Sequence, residues 1–254
     1  MTVELDIMRQ NLLFDGLEVL AHNINRKQSN LRFFEFGNIY NADYSQDEKL
    51  VLYLTGDAKK QNWIQQKEKS NFYHLMASVK AILKQLKIKD FDIEETDSEL
   101  FDYNVSILKN GKTLGLIGLV EDKILAQHDI KQEVFFAELD WKYILKLFRK
   151  NKSKFEPIPK YPEVTRDLAI VLNEEINFSS IKNLIFKSAK KYLTSLELFD
   201  IYRDIEKVGE GKKSYAISIK LIDKEKTLVD KEIDKIIANI VRKLQNELNA
   251  NIRG

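Results

Sequence analysis

At 254 residues, with 44% hydrophobic and 10% aromatic content, the chain can bury one large core or two medium ones, which excludes disorder as its default state. It has no cysteine, which excludes disulfides and thiolate chemistry and fits a reducing, cytoplasmic compartment; it also lacks an apolar run near 18 residues and a signal-peptide layout over Met1 to Arg9. The net charge of +2 is far from a strongly basic phosphate-gripping balance, but it is uneven: residues 1–150 hold 21 Lys and Arg against 23 Asp and Glu (−2), and residues 151–254 hold 20 against 16 (+4).

Leu13, Leu17, Leu20 and Ile24 recur at helical spacing. The alternating run from Leu31 to Tyr40 and the apolar run from Leu50 to Leu54, closed by Gly56, predict two strands. Phe72, Leu75, Met76, Val79, Ile82, Leu83 and Leu86 trace the stripe of a second helix, with Ser70 and Asn71 as candidate N-caps. Asn110-Gly111, tolerant of positive φ, predicts a tight hairpin between the runs Tyr103 to Leu108 and Leu114 to Val120. Val134 to Leu139 reads as another strand and Trp141 to Phe148 as a short helix. Residues 1–150 are thus expected to form a largely antiparallel sheet with helices packed on it.

All three prolines, at 157, 159 and 162, fall in one polar stretch without periodicity, so residues 151–161 read as a stiff extended linker. Beyond it, Val164 to Leu172 predicts a strand and Phe178, Ile181, Leu184, Ile185 and Ala189 a helix. Leu193 to Tyr202 and Tyr215 to Ile222 predict two strands around the turn at Gly209 and Gly211. Thr227-x-x-Asp230 reads as an N-terminal cap, followed by the apolar stripe Ile233, Ile236, Ile237, Ile240, Val241, Leu244 and Leu248; Asn251 to Arg253 adds an edge strand. The order βαββαβ is the ferredoxin-like arrangement, expected over residues 162–254.

In that arrangement both helices cover one face of the sheet. Alternation then sends Tyr215, Ile217, Ile219 and Leu221 to the helices and Ser214, Ala216, Ser218 and Lys220 to the open side. In the preceding strand Leu196 and Leu198 belong to the core, which places Glu197, Phe199 and Ile201 outward.

The ordered signals Arg166-Asp167, Phe199-Asp200-x-Tyr202, Gly211-Lys212-Lys213-Ser214, Thr227-Leu228 and Arg253-Gly254 resemble the ferredoxin-like anticodon-binding domain that closes the β subunit of bacterial phenylalanine-tRNA ligases. The segments Met8-Arg9-Gln10-Asn11-Leu12-Leu13-Phe14-Asp15-Gly16-Leu17, Asn25-Arg26 and Phe34-Glu35-Phe36-Gly37-Asn38-Ile39-Tyr40 resemble the non-catalytic, synthetase-like module of the same subunits. The resemblance covers nearly the whole chain. It implies an α+β protein: a class II synthetase-like antiparallel sheet with flanking helices that packs on the catalytic α subunit of an α2β2 assembly, then a module that docks the tRNA anticodon region.

Splayed bases of single-stranded RNA stack on aromatic rings while Lys and Arg hold phosphates. The candidate RNA-contacting residues are therefore Phe199 and Tyr202 for stacking, Arg166, Lys212 and Lys213 for phosphates, and Ser214 and Ser218 on the open face; the resemblance adds the terminal Arg253. Nothing in the chain reads as catalytic. The Gly-rich third motif with which a class II enzyme holds ATP is absent, and Arg32-x-x-Glu35 is a partial echo of the second motif, read as structural. His22, His74 and His128 are scattered, without the spacing of metal ligands. The resemblance implies that ATP and magnesium serve the whole ligase, with the chemistry in α and no cofactor bound by this chain. The family's N-terminal editing and tRNA-like-binding modules are missing, so the chain reads as the C-terminal portion of a longer subunit. The same βαββαβ order also occurs in small-molecule sensing modules, the alternative reading.

Overall fold

The computed structural model describes residues 8–150, 159–204 and 208–253, the last residue by its backbone alone. The chain divides into two compact units, residues 1–154 and 155–254. Of the linker expected over 151–161, residues 151–158 lie outside the described residues.

The apolar run Leu50 to Leu54 has no alternation because its strand is covered on both sides. It belongs to β2 (Gln46–Thr55), inside a six-stranded sheet with β1 (Leu31–Tyr40), β5 (Asp92–Thr96), β6 (Phe101–Lys109), β7 (Lys112–Val120) and β8 (Val134–Asp140). The order is β1-β2-β8-β7-β6-β5, and every neighbouring pair is antiparallel. Leu50 and Leu54 join Val105, Ile117 and Leu139 under α2 (Phe72–Gln85), through Leu75, Val79 and Leu83, and under α4 (Trp141–Lys150), through Ile144. Val51 and Tyr53 face the other way. They meet Phe136, α1 (Leu13–Asn25), through Leu13, Leu17 and Leu20, and α3 (Asp122–Gln127), through Ile124 and Leu125. Each fully buried Leu, Ile or Val contributes about 1.5–3 kcal/mol of transfer free energy, so two such layers anchor the sheet.

Local chemistry sets the ends of these elements. Of the two candidate caps of α2, Asn71 is the one used: its side chain accepts from His74 N–H at 3.1 Å, and His74 Nδ1 accepts from Asn71 N–H at 3.2 Å. The expected hairpin joins β6 to β7 through Asn110 (φ 54°) and Gly111 (φ 71°), both left-handed, as a two-residue turn of the primed kind requires. Three features have no counterpart in the sequence reading: the two-stranded arm of β3 (Asp57–Lys59) and β4 (Glu68–Lys69), the strand β5, and the short helix α3.

The second unit has the expected βαββαβ order: β9 (Val164–Asn173), α5 (Phe178–Ala189), β10 (Leu193–Tyr202), β11 (Lys212–Leu221), α6 (Asp230–Leu248) and β12 (Asn251–Arg253). Its strands run β10-β11-β9-β12, all antiparallel. Ile170 and Leu172 of β9 and Tyr215, Ile217, Ile219 and Leu221 of β11 form one core with both helices, which contribute Ile181, Leu184 and Ile185 from α5 and Ile233, Ile240 and Leu244 from α6. One correction concerns the start of α6. Thr227 is not its cap; the helix begins after extended Val229, whose N–H is accepted by Glu232 Oε2 at 3.4 Å. Asp230 and Glu232 then place negative charge on the first turn, where the helix dipole favours it.

Candidate nucleic-acid interface

Strand register divides the second unit's sheet into two faces. In β11 the buried Tyr215, Ile217, Ile219 and Leu221 point to the helices, so Ser214, Ala216, Ser218 and Lys220 line the opposite side. On β9 this side continues through Asp167 opposite Ser218, Ala169 opposite Ala216 and Val171 opposite Ser214. On β12 the register pairs Asn251 with Val171 and Arg253 with Ala169. Ala169, Ala216 and Ser218 keep the middle of this face shallow, which admits a flat ring system closely.

The edge strand β10 carries a bulge that the alternation rule does not foresee. Leu198 stands opposite Ile217 and Asp200 opposite Ala216, so Phe199 is an extra residue in the ladder. It is 61% exposed. The insertion reverses parity: Ile201, expected outward, faces Tyr215, while Asp200 and Tyr202 share the open side with Glu197. Tyr202 Oη donates to Asp204 Oδ2 at 2.7 Å, which orients the phenol.

The basic candidates separate. Lys212 is exposed and has the open-face parity, opposite Asn173. Lys213 is 6% exposed, and its ammonium lies 5.1 Å from the centre of the Tyr215 ring. Arg166 stands opposite Ile219 on the helix side, with Nη2 3.4 Å from Asp230 Oδ1 and Nη1 donating to Thr165 carbonyl at 3.2 Å. The reason is geometric. Neighbours along a strand point to opposite faces, so neither Arg166 with Asp167 nor Lys212 with Lys213 can share the open side. Ser214 is buried and Ser218 half-buried within the open face; of Arg253 the backbone position is described.

Sequence reasoning passed over two open-face carboxylates. Asp167 and Asp200 join Glu197, whose Oε1 lies 3.9 Å from Lys220 Nζ, so among the described side chains the middle of this face is richer in acceptors than in cations. Such a surface repels phosphate and accepts hydrogen bonds from the amino groups of bases. A count of alternation through the bulge would have found Asp200, but the bulge has no local sequence signature.

The synthetase-like motif residues of the first unit serve structure. Arg9 donates to Asp15 Oδ2 at 3.2 Å, to Glu35 Oε1 at 2.9 Å and through Nε to Asn38 carbonyl at 3.0 Å, tying the chain before α1 to β1. Arg32 donates to Ala58 carbonyl at 3.2 Å. The partial echo Arg32-x-x-Glu35 is thus occupied with protein partners. Among the described residues no group of three His, Asp or Glu is placed to hold a metal ion. No helix of the described residues is long and apolar enough to cross a membrane.

Residues 1–141 match the family model for the phenylalanyl tRNA synthetase beta chain CLM domain, and residues 159–253 match that for the ferredoxin-fold anticodon binding domain. The phenylalanine–tRNA ligase beta subunit of Bacteroides thetaiotaomicron is 40% identical over 100% of this chain and 33% of that protein. The corresponding subunit of Bacteroides fragilis is 37% identical over 100% and 33%, and that of Porphyromonas gingivalis 35% identical over 98% and 32%. The chain spans about a third of the length of these curated relatives. Among solved structures, the pyrrolysyl tRNA synthetase of Desulfitobacterium hafniense aligns with a TM-score of 0.44 at 15% identity, over 56% of this chain and 50% of that one. Matched along both of its units, the chain belongs to the phenylalanine-tRNA ligase beta subunit family.

Proposed function

We propose that this chain is the tRNA-binding and subunit-assembly portion of a cytoplasmic phenylalanine-tRNA ligase, positioning tRNA(Phe) for ATP- and magnesium-dependent aminoacylation in the α subunit. Residues 1–150 would contact α within an α2β2 heterotetramer, residues 151–161 would link, and residues 162–254 would receive the anticodon region. The observation that carries the reading is the open, small-residue sheet face of a unit that matches an anticodon-binding family model. That match favours this reading over a small-molecule sensor.

On this face the anticodon loop would approach by its bases. Phe199 and Tyr202 would stack, Glu197 and Asp200 would accept from exocyclic amino groups, Ser218 would supply a short polar contact, and Lys212 at the rim would meet a phosphate. Arg253 would add a cation from β12. Arg166, Lys213 and the buried Ser214 would act through the fold, holding the strands that present the face.

A fluorescence titration of a labelled phenylalanine anticodon stem-loop tests the reading. Phe199→Ala should weaken binding by about ten-fold or more, since one lost base stack is worth about 1–3 kcal/mol. Equal affinity of the two proteins would remove Phe199 from the site.

A further inference from the structure

The arm of β3 and β4 follows β2 in the first unit, and its two strands are joined through the segment Gln61 to Gln66, which carries no charge. There Trp63 is 92% exposed and Ile64 75%. Single apolar residues on a surface need no explanation, but a tryptophan and an isoleucine side by side at the end of an arm do. Neither belongs to an apolar cluster of the described residues.

The two side chains are exposed on a fixed support. Asn62 N–H donates to Gln65 carbonyl at 3.0 Å, and Asn62 Oδ1 accepts from Ile64 N–H at 2.9 Å and from Gln65 N–H at 2.8 Å. An asparagine that takes the amides two and three residues on fixes the turn between them, which here holds Trp63 and Ile64. Across the arm Lys59 Nζ meets Glu68 Oε2 at 2.6 Å and Lys67 Nζ meets Asp57 Oδ2 at 3.1 Å. The arm is also tied to its unit: Glu68 Oε1 lies 3.3 Å from His74 Nε2 of α2, and Arg32 of β1 donates to Ala58 carbonyl. Groups presented in advance lose little freedom when a partner buries them.

The surface beside the arm's base is apolar as well. Phe34, two residues along β1 from Arg32 and 69% exposed, shares a cleft of about 230 Å³ with Leu52, Leu54 and Leu75, and His74 lines the same cleft. Lys60 and Lys69 of the arm enter no ion pair among the described residues, so the uncharged tip stands above a basic collar.

We propose that Trp63 and Ile64 anchor the first unit to the catalytic α subunit, by entering an apolar pocket of α whose rim offers carboxylates to Lys60 and Lys69. This rests on the assignment of residues 1–150 to contact with α and names the residues that carry it. Tryptophan is enriched among the few side chains that dominate a protein interface, and uncharged polar neighbours, here Gln61, Asn62, Gln65 and Gln66, exclude water around such an anchor. RNA fits the tip less well. A base stacks on an indole, but Ile64 offers no ring and the tip itself has no cation for a phosphate.

The test labels this chain with fluorotryptophan and follows it by fluorine NMR as unlabelled α subunit is added. Trp63 and Trp141 are its two tryptophans, and Trp63→Phe identifies the Trp63 signal. That signal should move with α. Trp63→Ala should weaken capture of α by the immobilised chain about thirty-fold or more, the loss that marks an interface anchor. The melting temperature of the free variant should match that of the parent, because the side chain belongs to no core. Equal capture of α by parent and variant, with the Trp63 signal still, would overturn this inference and leave the assembly reading standing. A parent chain that holds no α would overturn both. A Trp63 signal that moves with tRNA alone assigns the tip to RNA, and one that moves with the chain's own concentration assigns it to a second copy; either overturns the proposal.

Discussion

Arg166 reaches across the helix-covered side of the second unit to Asp230, Nη2 to Oδ1 at 3.4 Å, and so ties the middle strand β9 to the first turn of α6. The sequence offers Arg166 as a phosphate contact, but its register places it behind the sheet. Arg166→Ala should therefore leave stem-loop affinity and its salt dependence unchanged. Both partners are substantially exposed, so the stability cost should stay below about 1 kcal/mol. Isothermal titration at two salt concentrations checks the first expectation and urea unfolding the second.

Lys212 and Lys213 are adjacent and should behave oppositely. Lys212→Ala should reduce the slope of log affinity against log salt by about one unit, because one phosphate neutralisation is lost. Lys213→Ala should keep the slope and instead lower stability by about 1–2 kcal/mol, through the lost ring contact and the lost packing of its stem. Matched slopes and matched stabilities for the two variants would show that burial does not separate them.

In the first unit the account rests on close packing between α1 and β2. A Cβ on Gly16 would stand 2.0 Å from Tyr53 Cζ, and Tyr53 is buried with its hydroxyl donating to Leu12 carbonyl. Helix propensity alone favours alanine by about 1 kcal/mol. The overlap opposes it, and overpacking a fixed ring costs about 1–3 kcal/mol or more. Gly16→Ala should therefore lower the urea midpoint; a raised midpoint would mean that Tyr53 moves freely.

Acid should weaken the start of α6. The Glu232 carboxylate is held below its ordinary pKa by its hydrogen bond with Lys226, and secondarily by the Val229 N–H. A depressed folded pKa gives stability that is present above the unfolded value and lost as pH falls through the folded one. The difference in melting temperature between the parent and Glu232→Gln should hold from neutrality down to about pH 5 and shrink below about pH 4. A difference that grows in acid would reverse the sign and refute the assignment.

Much of this fold is legible because its burial follows the simple periods. The stripe Ile233, Ile240 and Leu244 marks α6, and Tyr215, Ile217, Ile219 and Leu221 mark both β11 and its buried face. What is not legible lacks an apolar period. β5 is exposed along its whole length and carries Asp92, Glu94 and Glu95; only its backbone ladder to β6 makes it a strand. The arm of β3 and β4 is too short to show alternation, and the six residues of α3 too few to show a helical stripe. The candidate site is mixed in the same way. Alternation alone separates Lys212 from Lys213 and Arg166 from Asp167, whereas the bulge at Phe199, which exposes Asp200 and Tyr202 together, depends on three-dimensional pairing with Ala216.

RNA should meet the side of the second unit's sheet opposite α5 and α6. Amide chemical-shift mapping of the isotopically labelled chain during titration with the phenylalanine anticodon stem-loop tests it most directly. The account predicts the largest shifts at Ala169, Phe199, Asp200, Tyr202, Ala216 and Ser218, with the outer surfaces of α5 and α6 unchanged. Shifts confined to α5 and α6, with those six amides still, would contradict it.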